Sequence, residues 1–231
     1  MGPETRRFVL IVTCLTGAIA SSITSLQHRG QHTCNAVHVV NEFFITAAAC
    51  LGHSDPPTIT LVSSELAHKV RCNVTQYQRH PKYVFLNHNL AVVQAQCEPE
   101  AAPEGRTSIS DASESDDLLT LLGFGGSLQE VSTRLKLQHC SVCQKQYEVF
   151  DCKRQMCVKP AGNDFRKRSN LNGLAGAGLY NQHGELVGIV SYGFAGASYV
   201  AERVSYYGQF LQSAMKSFKD AVGANNPTSR G

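Results

Sequence analysis

Phe44-Ile45-Thr46-Ala47-Ala48-Ala49-Cys50 opens on an aromatic and β-branched run and closes on three alanines and a cysteine. A second cysteine ends the upstream stretch Gly30-Gln31-His32-Thr33-Cys34. Working outward, Val37-His38-Val39-Val40, Thr58-Ile59-Thr60-Leu61-Val62 and Leu90-Ala91-Val92-Val93 are short apolar or β-branched runs bounded by turn residues, which predicts strands. Residues 98–117 contain Pro99, Pro103, Gly105 and the acidic run from Asp111 to Asp117, a polar connection between two strand-rich halves. The second half continues with Leu118 to Leu122, Leu186-Val187-Gly188-Ile189-Val190-Ser191 and Val204-Ser205-Tyr206-Tyr207. From Tyr207 to about Val222, Phe210, Leu211, Ala214 and Phe218 recur near helical spacing, which predicts a C-terminal amphipathic helix.

Three motifs, in order, resemble the chymotrypsin/trypsin-like serine protease family. Thr46-Ala47-Ala48-Ala49-Cys50 stands where that family reads Thr-Ala-Ala-His-Cys. Asn89-Leu90-Ala91-Val92 stands where it reads Asp-Ile-Ala-Leu. Gly173-Leu174-Ala175-Gly176-Ala177-Gly178-Leu179 stands where it reads Gly-Asp-Ser-Gly-Gly-Pro-Leu. The resemblance implies an all-β fold of two packed six-stranded antiparallel barrels with a C-terminal helix. It also implies a barrel over about 23–100, a linker over about 98–117, a barrel over about 118–206 and a helix over about 207–222. The homology domain would then run over 21–223, with a loose tail at 224–231.

What the resemblance implies for chemistry is negative. Ala49 has no ring nitrogen, Asn89 no charge and Ala175 no hydroxyl, so general base, orienting carboxylate and nucleophile are all absent. Loss of a single triad member costs about 10⁴- to 10⁶-fold in rate. Leu174 takes the position of the aspartate that pairs with a newly freed amino terminus in active relatives, so no activating ion pair is expected. Ser169 falls at the base of the specificity pocket, which leaves no acid for an Arg or Lys side chain. Ser191-Tyr192-Gly193 resembles the Ser-Trp-Gly strand that pairs with substrate backbone, and Gly173 retains one oxyanion-type amide. A peptide groove is compatible with those residues, and so is plain retention of barrel structure.

Residues 1–20 read as a secretory signal, with Arg6 and Arg7, an apolar run from Phe8 to Ala20 and a small-x-small site at Ala18-Ile19-Ala20. The run is too short to span a bilayer of about 30 Å. Of nine cysteines, Cys14 lies in the leader, and the eight that follow form an even set suited to an oxidising compartment. Spacing alone leaves their pairing open. The resemblance implies Cys34–Cys50 and Cys143–Cys157; it places Cys72 and Cys97 on neighbouring antiparallel segments and leaves Cys140 for Cys152. The spacing Cys140-x-x-Cys143 … Cys152-x4-Cys157 also suits a four-thiolate zinc site, which a secreted chain disfavours. Asn73-Val74-Thr75 is a glycosylation sequon.

The composition is that of an ordinary globular protein, 42% hydrophobic and 17% charged. A formal net charge of +3, lower once Arg6 and Arg7 are removed, argues against nucleic acid or a membrane as partner. The nine histidines are scattered with no metal-ligand spacing, and no cofactor motif or metal site is expected. His88 directly precedes Asn89, but with no hydroxyl nucleophile it has nothing to activate. Lys153-Arg154 and Arg166-Lys167-Arg168 concentrate positive charge on either side of Cys157.

Two functions follow. The first is a secreted, non-catalytic serine protease homologue that binds protein, as an adaptor, decoy or cofactor in an extracellular protease cascade; its partner would be a protease, an inhibitor or a cascade substrate. The alternative is a polyanion- or carbohydrate-binding module that uses the basic loops to hold a sulfated glycan.

Overall fold

The computed structural model describes residues 23–52, 55–56, 59–63, 70–97, 106–111, 118–161, 173–194 and 197–224. Six strands form the first unit: β1 (Ile23–His28), β2 (Gln31–Val40), β3 (Phe43–Thr46), β4 (Ile59–Ser63), β5 (Val70–Arg79) and β6 (Ala91–Cys97). Six more form the second: β7 (Leu118–Phe124), β8 (Glu130–Gln138), β9 (Gln155–Pro160), β10 (Gly178–Tyr180), β11 (Leu186–Tyr192) and β12 (Tyr199–Arg203). Each set closes on itself through antiparallel neighbours, in the orders β1-β2-β3-β6-β5-β4 and β10-β11-β12-β9-β8-β7. These are the two six-stranded antiparallel barrels expected, and closure leaves neither with an open edge.

Strand β3 shows why the barrels meet. All four of its residues are buried, because both faces of the strand have a core to fill. Phe44 points into the first barrel with Leu26, Leu61 and Val93. Phe43 and Ile45, one step out of phase, join Val37, Leu90 and Val92 in a second core with Ile189, Val204 and Tyr207 of the other barrel. Side-chain alternation along one strand thus serves two cores. Burial of each large apolar side chain contributes about 1.5–3 kcal/mol.

The C-terminal helix α2 (Gly208–Ala224) closes that inter-barrel core with Leu211, Ala214 and Phe218, and Phe218 stacks on Phe43 with ring centroids 6.3 Å apart. It begins one residue later than the spacing predicts. Val204–Tyr207, read from the sequence as a strand, is instead a 3-10 turn. Val204 and Tyr207 are both buried there, which a three-residue repeat allows and an alternating strand would not.

A short helix α1 (Cys140–Gln146) was not anticipated. Its Cys-x-x-Cys spacing puts Cys140 and Cys143 on one helical face, and both are bridged, to Cys152 and Cys157. All four sulfurs of the alternative zinc site are therefore committed to disulfides. Cys34 is joined to Cys50, and Cys72 to Cys97, directly opposite it across β5 and β6. Loops of this size lose about 3 kcal/mol of unfolded-state freedom each on a chain-entropy account.

The polar connection is described only over 106–111. There it is pinned, not loose: Arg106 bridges Val40 and Ile109 bridges Leu186, one from each barrel. The expected leader, residues 225–231 of the expected tail, and residues 112–117 of the acidic run lie outside the described residues, while Ala224 ends the C-terminal helix.

Candidate functional site at the barrel junction

Ala49 and Asn89 meet. Ala49 is exposed in the 3-10 turn that follows β3, and Asn89 is wholly buried just before β6. The Asn89 side-chain carbonyl accepts the Ala49 backbone N–H at 2.8 Å. Its amide donates to Ser191 Oγ of β11 at 2.9 Å, so both ends of the side chain are satisfied across the junction. Ala175 comes from the other side. It packs against the first-barrel core that holds Cys34, Ala47, Ala48 and Cys50, and its carbonyl accepts the Asn35 N–H at 2.7 Å. The fold therefore joins Ala49 to Asn89 directly and packs Ala175 against the core beside the turn that carries Ala49.

The loop from Gly173 to Ala177 is held by β2. Asn35 Nδ2 donates to the carbonyls of Gly173 at 2.6 Å and Phe124 at 3.1 Å, while its Oδ1 accepts the Phe124 N–H at 2.6 Å. His32 Nε2 lies 3.1 Å from the Gly173 carbonyl and its Nδ1 lies 2.8 Å from Ser25 Oγ. A carbonyl cannot donate, so Nε2 carries the proton and Ser25 donates to bare Nδ1 in the neutral ring. Burial pulls the His32 pKa down against the opposing pull of its backbone bonds, in keeping with that neutral form. Gly176 has φ +81° and a Cβ there would stand 2.0 Å from the Asn35 carbonyl oxygen, so this close approach requires glycine. Leu174 is 3% exposed in the second-barrel core with Leu119, Leu121 and Leu179. Asn35, His32 and Ser25 carry no signal in the sequence that would mark them as a tether, because their partners are mostly backbone carbonyls distant along the chain.

Gly193 follows β11 and packs so closely on Tyr199 that no side chain fits there. A Cβ on Gly193 would lie 2.2 Å from Cδ1 of Tyr199, whose own side chain is buried among Leu174, Val190 and Ala177. Beside it, Tyr192 packs edge-on to Tyr147 at 5.2 Å, and Tyr147 donates its hydroxyl to the Ser198 carbonyl. Burial, then the Glu202 charge, pushes the Tyr192 hydroxyl up to about 12.

Behind Asn89 runs a buried polar chain. Ser191 Oγ donates to Glu202 Oε1 at 3.4 Å, and Gln155 Nε2 donates to the same oxygen at 2.8 Å. Tyr207 donates its hydroxyl to Glu202 Oε2. Glu202 is fully buried, and burial raises its pKa against the opposing pull of Tyr207, Gln155 and Arg154. Arg154 is 5% exposed and its Nε donates to Asp151 at 3.1 Å. It therefore belongs to this interior chain and not to a surface patch with Lys153, which corrects the basic-loop expectation. Ser169 and Arg166-Lys167-Arg168 lie outside the described residues. His88, set aside as a catalyst, stacks on His80 at 4.6 Å. No cluster of three or more metal-ligating side chains occurs among the described residues.

The trypsin family model matches residues 15–211. The chain is 27% identical over 180 residues to mouse (Mus musculus) cathepsin G, covering 71% of this chain and 67% of the relative. It is 25% identical over 212 residues to human (Homo sapiens) cathepsin G, covering 82% and 79%. Among solved structures, the scabies mite inactivated protease paralogue S-D1 superposes with a TM-score of 0.70 at 18% identity, covering 84% of this chain and 92% of that one. Kallikrein-related peptidase 10 superposes with a TM-score of 0.67 at 18% identity, covering 85% and 95%. With two closed barrels, a junction of this geometry and a family model matched over most of its length, this chain belongs to the trypsin family.

Proposed function

We propose that this member of the trypsin family is a secreted, non-catalytic homologue that acts by binding protein in an extracellular protease cascade. The observation that supports the reading is that Ala49 bonds to Asn89, Ala175 packs against the core beside the same turn, and none of the three carries a hydroxyl, imidazole or carboxylate. Acyl transfer needs a nucleophile, a base to take its proton and a group to orient that base. Leu174 in an apolar core supports the same conclusion, since a buried ammonium there would have no counter-charge. Binding is then a matter for the loops displayed on the rigid barrels. Four disulfides suit the oxidising conditions outside the cell, and one inactivated protease of the same fold stands among the structural neighbours.

The test is twofold. The purified mature protein is expected to give no ester hydrolysis and no fluorophosphonate labelling, and labelling mapped to the loop from Gly173 to Ala177 would end the non-catalytic reading. Cross-linking and affinity capture of the tagged protein from its native fluid is expected to enrich a protease or a protease inhibitor. Capture of neither would end the cascade reading.

A further inference from the structure

We propose that the outward face of β8 and β9 is a docking strip for a sulfated polysaccharide, formed by Arg134, Lys136 and Lys159. These strand residues are distinct from those of the barrel junction and from Lys153 and Arg154. All three side chains are exposed. Along β8 the exposed positions alternate, and Glu130, Ser132, Arg134 and Lys136 share the outward face while Leu135 is buried. In the β8–β9 ladder Lys136 stands directly opposite Lys159. Two residues of strand separate Arg134 from Lys136, about 7 Å, and the neighbouring strand brings Lys159 to about 5 Å.

Three cations in so small an area repel one another, and like charges set directly opposite in a ladder destabilise it. Among the described residues no ion pair offsets them. Glu130 shares their face but lies four residues from Arg134, about 13 Å along the strand. Across the ladder on the other side, Lys136 faces Leu118 and Arg134 faces Thr120, neither of them acidic. The cost of this arrangement is recovered when a polyanion binds and releases its counterions.

The chemistry of the strip selects among polyanions. It carries no aromatic side chain, so it offers no platform for nucleic-acid bases. One exposed leucine, Leu118, is too little apolar surface to enter a bilayer. The four disulfides place the protein with extracellular ligands, where the sulfated polysaccharides are the abundant polyanions.

The strip is tested by retention on heparin-agarose over a salt gradient, with the intact disulfide-bonded protein. The variant R134S/K136S/K159S is expected to elute at clearly lower salt than the parent. The slope of log affinity against log salt should fall by about two, at roughly 0.7 for each cation removed. The charge-matched variant K82S/K216S/K219S, altered at exposed lysines elsewhere, should elute with the parent. A parent that passes straight through at about 0.1 M salt, where a strip of this kind should still hold a polyanion, overturns the proposal. So does an equal shift in both variants, which would mean bulk charge alone. Equal strip-dependent binding to phosphatidylserine vesicles would overturn the assignment to a polysaccharide. A melting temperature at or above the parent's for the strip variant, raised by relief of the like-charge repulsion, excludes misfolding as the cause of its shift.

Discussion

Asn89 holds the Ala49 backbone N–H at 2.8 Å and the Ser191 hydroxyl at 2.9 Å, so one neutral side chain joins the turn after β3 to the second barrel. An amide can do this because it accepts at one end and donates at the other. A carboxylate accepts at both.

That difference gives the first expectation. In Asn89→Asp, Ser191 must reverse its hydrogen bond and abandon Glu202, and a second acid enters a wholly buried site. Burial and the neighbouring Glu202 both raise the new carboxyl's folded pKa. Its contribution to stability is then greatest below the unfolded value near 3.9 and is lost as pH rises through the folded value. The variant should unfold about 2–4 kcal/mol more readily than the parent at pH 7, with the gap closing towards pH 4. Urea titrations at the two pH values measure it.

His80 and His88 give the acid side of the parent's own profile. Burial, then the charges of His88, Lys82 and Arg154, lowers His80 to about 4. Burial, then Arg154 and Lys82, lowers His88 against the opposing pull of Asp151. Groups with depressed folded pKa values contribute stability above the unfolded value near 6.5 and lose it as pH falls towards the folded one. The melting temperature should fall between pH 6.5 and 4. His80→Phe, which keeps a ring against Tyr207 and Phe210, should flatten that fall.

Tyr199 is a buried ring packed on Gly193. Tyr199→Ala should destabilise the protein by about 3–5 kcal/mol, as aromatic truncations in cores do. The cavity left lies within the apolar core of the second barrel. A small aromatic such as indole should raise the melting temperature of the variant and leave the parent unchanged. Calorimetry with and without indole decides it.

Asn73 lies exposed on β5, and Thr75, two residues on, is exposed on the same face. The sequon is therefore sterically free to carry a glycan. Protein made in insect or mammalian cells should lose the mass of one N-linked glycan on treatment with peptide-N-glycosidase, and Asn73→Gln should abolish that loss.

Much of this architecture could be read from local signals. The β-branched runs, the polar connection and the recurrence of Phe210, Leu211, Ala214 and Phe218 predict strands, a division and a helix, because each rests on periodicities of two or 3.6 residues within one segment. The family resemblance rests instead on the short motifs that carry Ala49, Asn89 and Ala175. The helix α1 was not, since its seven residues are held by the two disulfides and by packing against the second barrel.

The sequence by itself determined that the chain is strand-rich and divided in two, and that Ala49, Asn89 and Ala175 stand in its family-like motifs, since apolar patterning and side-chain identity travel with the chain. Only the tertiary structure decided that Tyr199 packs on Gly193. It also decided that Arg154 turns inward to Asp151, and that Asn35 and His32 bind the Gly173 carbonyl across the barrels. Those relationships work through backbone carbonyls and shared volume, mostly between residues far apart in sequence, and neither leaves a mark in local pattern.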